Sequence, residues 1–108
     1  MINNVTLIGR LTADPAVKEF EGGVKVANFS LAVEKTYKNK DGEKETNFIN
    51  IVAWRKTAEL TEKYLKKGSL CGIAGSIETR NYEDSDGVKH YVTEVLASEL
   101  QLLPSSGN

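Results

Sequence analysis

Cysteine and histidine each occur once in this sequence of 108 residues, as Cys71 and His90. A lone cysteine has no partner for an internal disulfide, and one Cys with one His makes no zinc-ligand set. Cys71 lies in the apolar stretch "SLCGIAGS", where cysteine serves as a small core residue, and no His neighbours it in sequence to activate the thiol. A long hydrophobic run is also missing, since nothing approaches the roughly 20 apolar residues of a membrane span. The opening "MINNVTLIGR" has neither the basic beginning nor the apolar stretch of a secretory signal, so a cytoplasmic location is expected. There is no Gly-rich nucleotide loop, and His90 has no nucleophile or carboxylate at motif spacing. Asp84 and Asp86 in "EDSDGV" lack the further ligands and closing Glu of a calcium loop and read as a turn. Catalysis, metals and cofactors are therefore not expected.

What is present is enough chain for one domain with its own core. Residues 1–104 are expected to form it, with 105–108 as a short C-terminal tail. The net charge is −1, which offers no overall attraction to phosphate, but the charges are unevenly spread. Residues 1–34 hold three basic and four acidic groups, residues 35–68 hold nine and five, and residues 69–108 hold two and six. The positive excess is confined to the middle third.

Alternation and turn residues order the chain. "NNVTLIGRL" sets Val5, Leu7 and Gly9 against Asn4, Thr6 and Ile8, as a strand does. "DPAVKEFEGG" reads as a loop opened by Asp14-Pro15 and closed by Gly22-Gly23. "VKVANFSLAVEKTYK" is a long strand with Ala27, Phe29, Leu31 and Val33 on one face, and its alternation carries Lys35 and Tyr37 onto that face beyond the core. Asp41-Gly42 is a hairpin signal that returns the chain into "TNFINIVAWRK". In that third strand Ile49, Ile51 and Ala53 share one face, while Phe48, Asn50, Val52 and Trp54 share the other. Two aromatics flanking an Asn suit a surface that is touched, and equally a strand buried on both faces.

The period then changes. Ala58, Thr61 and Leu65, with Leu60 and Tyr64 beside them, fall at helical spacing over about three turns. Thr57 is a candidate N-cap and Gly68 a candidate C-cap, with Glu59 and Glu62 early and Lys63, Lys66 and Lys67 late, matching the helix dipole. Tyr64 is expected to pack on the domain. "SLCGIAGSIETRNYE" and "VKHYVTEVLASELQLL" follow as two strands around the turn "DSDG", and Gly72 and Gly75 mark bulges or close backbone approach. The order β-β-β-α-β-β predicts an all-β fold with one short helix, an OB-fold five-stranded Greek-key barrel with the helix between strands three and four. Such barrels use the outward face of strands two and three and their loops to bind oligonucleotides or oligosaccharides.

"NNVTLIGRLTADP", "VANFSLAV", "FINIVAWRKTAELTEKYLKKGS" and "GSIETRNYEDSDGVKHYVTEV" together closely resemble the bacterial and phage single-stranded DNA-binding proteins, in order and over nearly the whole chain. The resemblance implies a homotetramer that wraps single-stranded DNA, in a cytoplasmic, nucleoid-associated setting or in the host cytoplasm if phage-encoded. It also implies base stacking by Tyr37 in the arm, Phe48 and Trp54 in the third strand and Tyr82 in the last hairpin. All four positions are aromatic. Lys35, Lys38, Lys40, Arg55, Lys56 and Arg80 are the expected phosphate contacts, with Arg10, Lys66 and Lys67 as weaker ones. Familiar members continue into a linker and an acidic tip that recruits other proteins, whereas this sequence ends at "LLPSSGN", so such recruitment is not expected of it. A rival reading stays open, an OB-fold accessory replication protein acting through protein contacts, because Trp, Tyr and Arg also favour protein interfaces.

Overall fold

The computed structural model describes residues 1–104, and the short tail expected at 105–108 lies outside the described residues. Its elements are β1 (Val5–Leu11), β2 (Ala16–Phe20), a 3-10 turn (Glu21–Gly23), β3 (Val24–Lys38), β4 (Lys44–Trp54), α1 (Arg55–Tyr64), β5 (Leu70–Glu83) and β6 (Lys89–Leu102). The strands pair in the order β1-β5-β6-β4-β3-β2, and β1 also meets β3, so five of them close into a barrel while β2 hangs on the edge of β3. Most pairings are antiparallel, but β4 and β6 run parallel through Ile51 opposite Val95 and Val52 opposite Leu96. This is the OB-fold barrel that the order of apolar segments implied, with the helix after the third barrel strand.

Alternation puts one side of every barrel strand into a single core. Ala27, Phe29 and Leu31 from β3 meet Ile51 and Ala53 from β4, Cys71 and Ile73 from β5, and Val95 and Ala97 from β6. Ala58 of α1 and Leu65 just past its end join the same core. Full burial of side chains such as Leu31, Ile51 and Ile73 contributes roughly 1.5–3 kcal/mol each. Cys71 is buried among them, and burial pushes its thiol up to about 11, out of the nucleophile range.

Two glycines let backbones meet where the barrel closes. A Cβ at Gly9 would lie 2.3 Å from the Ala32 carbonyl oxygen, and one at Gly75 would lie 2.0 Å from that of Leu96. Gly75 also sits at a register shift between β5 and β6, as a barrel corner requires. Gly72 has no such constraint, because its added Cβ would make only ordinary contacts.

Several local expectations change. The segment after Asp14-Pro15 is not all loop: Ala16–Phe20 pairs with Val24–Asn28 as a hairpin strand, turned by Gly22 and Gly23 at φ 83° and 79°. Its weak signal has a physical cause, since Val17 alone packs against the core and its neighbours are solvated. Thr57 does not cap α1. The N-cap position falls three residues earlier, at Trp54, with no side-chain cap, and the Thr57 carbonyl accepts the Thr61 hydroxyl. No acidic residue falls in the first turn, so the dipole is matched only by Lys63 near the end. Leu65, not Gly68, caps the C-terminus, its N–H donating to the Thr61 carbonyl. Tyr64 is half exposed beside the Lys63 ammonium rather than packed on the domain.

Candidate nucleic-acid interface

Register decides which side chains share the outer face. Leu31, Phe29 and Ala27 oppose Ile49, Ile51 and Ala53 on the core side, so Ala32, Ser30, Asn28 and Val26 oppose Phe48, Asn50, Val52 and Trp54 outside. The second of the two readings of β4, burial on both faces, is thereby overturned for its aromatics: Phe48 is 69% exposed and Trp54 46%. Val26 and Val52 lie nearly covered between them as an apolar floor.

The same face continues onto β6 and β5. Val52 opposite Leu96 fixes the parity, which places Val92 and Glu94 outside, opposite Arg80 and Glu78 on β5. Tyr82 and His90 follow on that face, 48% exposed for Tyr82, with their rings stacked at 5.1 Å and 18°. Asn28, Asn50, Arg80, Val92 and Glu94 line a groove of about 290 Å³ between the two hairpins. Phe48, Trp54 and Tyr82 therefore share one continuous surface. Tyr37, 65% exposed, lies out on the β3–β4 arm, past a register shift in which Glu34 faces Thr46 but Lys38 faces Lys44.

The cations divide into two groups. Lys35 Nζ bonds Glu45 Oε1 at 3.0 Å, and Arg80 Nε donates to Glu94 Oε1 at 2.9 Å. Glu45 holds the Lys35 ammonium above its usual range, with a smaller push from Tyr37. In return Lys35, then Asn39, holds the Glu45 carboxyl below the ordinary carboxylate range. Arg80 retains donors beyond Nε for a second acceptor. Lys38, Lys40, Arg55 and Lys56 make no ion pair among the described residues. Arg55 is the one non-glycine residue of the described chain at positive φ, 55°, a strain of roughly 1–2 kcal/mol that lets the strand turn into α1 directly after Trp54. Arg10 donates to the Gly68 carbonyl at 3.0 Å. Lys66 and Lys67 lie in the turn after α1, which is tied to Leu11 and Asp14 and not to the aromatic face.

The model of the single-strand binding protein family matches residues 2–103. The chain belongs to that family. Among curated relatives, it is 51% identical to single-stranded DNA-binding protein 2 of Listeria monocytogenes over all of this chain and 68% of that one. It is 54% identical to the single-stranded DNA-binding protein of Bacillus cereus, covering 99% of this chain and 64% of that one. It is 50% identical to a single-stranded DNA-binding protein 1 of Staphylococcus aureus, covering 100% and 70%. The chain thus spans about two thirds of the length of these relatives. A solved Plasmodium falciparum SSB in complex with ssDNA superposes with a TM-score of 0.86 at 30% identity, covering 96% of this chain and 97% of that one.

Three features of this family member's face escaped the sequence. Motif spacing gives His90 no carboxylate, yet its Nε2 lies 2.7 Å from Asp84 Oδ2 across the hairpin turn. That contact, followed by the Val88 N–H, holds Asp84 below the ordinary carboxylate range. Glu94 joins Arg80 only through the β5–β6 register. Phe20, on the strand read as loop, lies beside Trp54 with ring centroids 6.4 Å apart.

Proposed function

We propose that the chain binds single-stranded DNA without sequence preference, protecting it during replication, recombination, repair or DNA uptake. The outward row of β4 carries this reading: two large aromatic rings stand exposed on the outer face beside cations that make no ion pair among the described residues. A protein that coats any strand cannot read base edges, so it offers flat apolar faces to bases and cations to phosphates. In this reading Tyr37, Phe48, Trp54 and Tyr82 stack bases. Lys38, Lys40, Arg55 and Lys56 hold phosphates, and Lys35 and Arg80 do so while exchanging or sharing Glu45 and Glu94. The protein works by binding and not by catalysis, with residues 1–104 as the binding domain.

Self-association, as a homotetramer, belongs to the same proposal. Its support is the opposite side of the barrel, where exposed Ile8 stands over a largely apolar groove bordered by Leu7, Ile73, Leu100 and Leu103. No helix of the described chain is long and apolar enough to cross a membrane, and a cytoplasmic, nucleoid-associated setting follows from the DNA partner.

The decisive experiment is titration with oligo-dT, following the fluorescence of Trp54, at two salt concentrations and against duplex competitor. Quenching that weakens with salt and resists duplex is the expected result. Absence of binding in this and an independent assay would replace the reading with the protein-contact module.

A further inference from the structure

Phe20 closes β2 at the far end of the aromatic face. Lys18 opposes Val26 and Phe20 opposes Val24, while Val26 opposes Trp54, so Lys18 and Phe20 stand on the outer face with Trp54. The two rings are nearly parallel, with planes 18° apart and centroids separated by 6.4 Å, within the range of interacting aromatic pairs. Neither ring shields the other fully: Phe20 remains 52% exposed and Trp54 46%. Packing accounts for only part of this phenylalanine, since about half of its surface stays in solvent. The rest of β2 is held by its pairing with β3 and by Val17, and the apolar floor of Val26 and Val52 beneath is nearly covered. Gly22 and Gly23, both at positive φ, fold the hairpin tightly enough to hold Phe20 at the sheet edge. Lys18, one strand position along the same face, has no ion pair among the described residues.

We propose that Phe20 is a fifth base-stacking residue, forming with Trp54 a two-ring platform for nucleobases, and that Lys18 supplies a cation for the adjoining phosphate. The inference rests on the single-stranded DNA reading above and lengthens the strand's path, carrying it past β4 and off the barrel onto the β2 hairpin. An aromatic pair is suited to this because every base presents a π-face, whereas an aliphatic side chain would cover Trp54 without offering one.

The test combines a variant pair with a measurement on the unaltered protein. Phe20→Leu keeps the apolar cover and is expected to leave the thermal midpoint unchanged while weakening oligo-dT binding by about 5- to 150-fold, the loss typical of one stacked base. Phe20→Tyr restores the affinity. Photocrosslinking of the wild-type protein to 5-iodouracil-substituted oligo-dT, with peptide mapping, is expected to give an adduct at Phe20, a result that does not depend on how any variant folds. If Phe48→Ala weakens binding but Phe20→Leu does not, and no adduct forms at Phe20, the fifth platform is wrong and the four-residue reading stands. If wild-type protein fails to bind oligo-dT at all, the underlying reading falls and the inference with it.

Discussion

The two hairpin arms that flank the groove are built on one turn and carry opposite chemistry. In the β3–β4 arm, Asn39 Oδ1 accepts the N–H groups of Asp41 and Glu43 at 2.9 and 3.0 Å. In the β5–β6 arm, Asp84 Oδ1 accepts those of Asp86 and Val88 at 2.9 and 3.0 Å. Each turn has a glycine at φ 77° in the same place, Gly42 and Gly87, whose N–H returns to the carbonyl of Asn39 or Asp84. What differs is charge. The first tip, residues 38–44, sets Lys38, Lys40 and Lys44 against Asp41 and Glu43 for a net +1, where residues 83–89 of the second sum to −2, and its capping group is a neutral amide. The second is set among Glu83, Asp84 and Asp86, and its capping carboxylate also grips His90, which lies on the Tyr82 ring. Turn geometry is thus indifferent to the charge it displays. The first arm is free to be a phosphate contact, while the second delivers its ring with a titratable pair behind it.

Replacing one ring in each arm gives the largest effect expected. Tyr37→Ala and Tyr82→Ala should each weaken oligo-dT binding by about 1–3 kcal/mol without lowering the thermal midpoint, read by parallel titration and melting. If only Tyr82→Ala weakens binding, the strand does not reach the first arm. Next come the turn glycines. Nothing lies within 4 Å of a Cβ added at Gly42 or Gly87, so alanine there meets only the left-handed backbone cost of about 1–2 kcal/mol. Matched losses of amide-exchange protection in the two arms would establish their equivalence, and unequal losses would break it.

A smaller difference separates the cations. Lys40→Gln should flatten the salt dependence of binding by about 0.7 in log–log slope, one phosphate on a single strand, whereas Lys89→Gln, opposite Glu83, should leave it unchanged. The smallest effect is in acid. Because Asp84 is held below its unfolded-state value, its contribution is complete above the ordinary aspartate range and is lost as pH falls through its folded value. Protection of the Val88 amide, taken relative to its intrinsic exchange rate at each pH, should therefore fall in that window. Asp84→Asn, which copies the capping group of the first arm, should abolish the dependence while keeping the turn.

Much of this was legible in the residues. Period-two alternation with Asp41-Gly42 and "DSDG" between apolar runs marked both arms, and the unequal faces of "FINIVAW" offered the surface between them as one of two equal readings. What remained hidden depends on pairing across the chain. β2 exists because β3 offers it an edge, and its own pattern, with one packed valine, carries too little apolar periodicity to announce a strand. Phe20 was lost with it. The helix start was hidden for a different reason, since the turn is made by backbone strain at Arg55 and not by a side-chain cap. The ion pairs Lys35–Glu45 and Arg80–Glu94 follow from register alone, which no count of charges contains.

The barrel is held by two long hairpins, yet only two narrow seams join them, Ile51–Val52 against Val95–Leu96 directly on the groove side and, through β1 on the edge of β5, Arg10–Leu11 against Leu31–Ala32 behind. Tyr37, Phe48 and Trp54 belong to one hairpin and Tyr82 to the other, so a strand bound as proposed lies across the first seam like a splint. Its binding should stiffen the molecule at a seam only two residue pairs wide, and the gain should be felt as slower opening of the barrel itself.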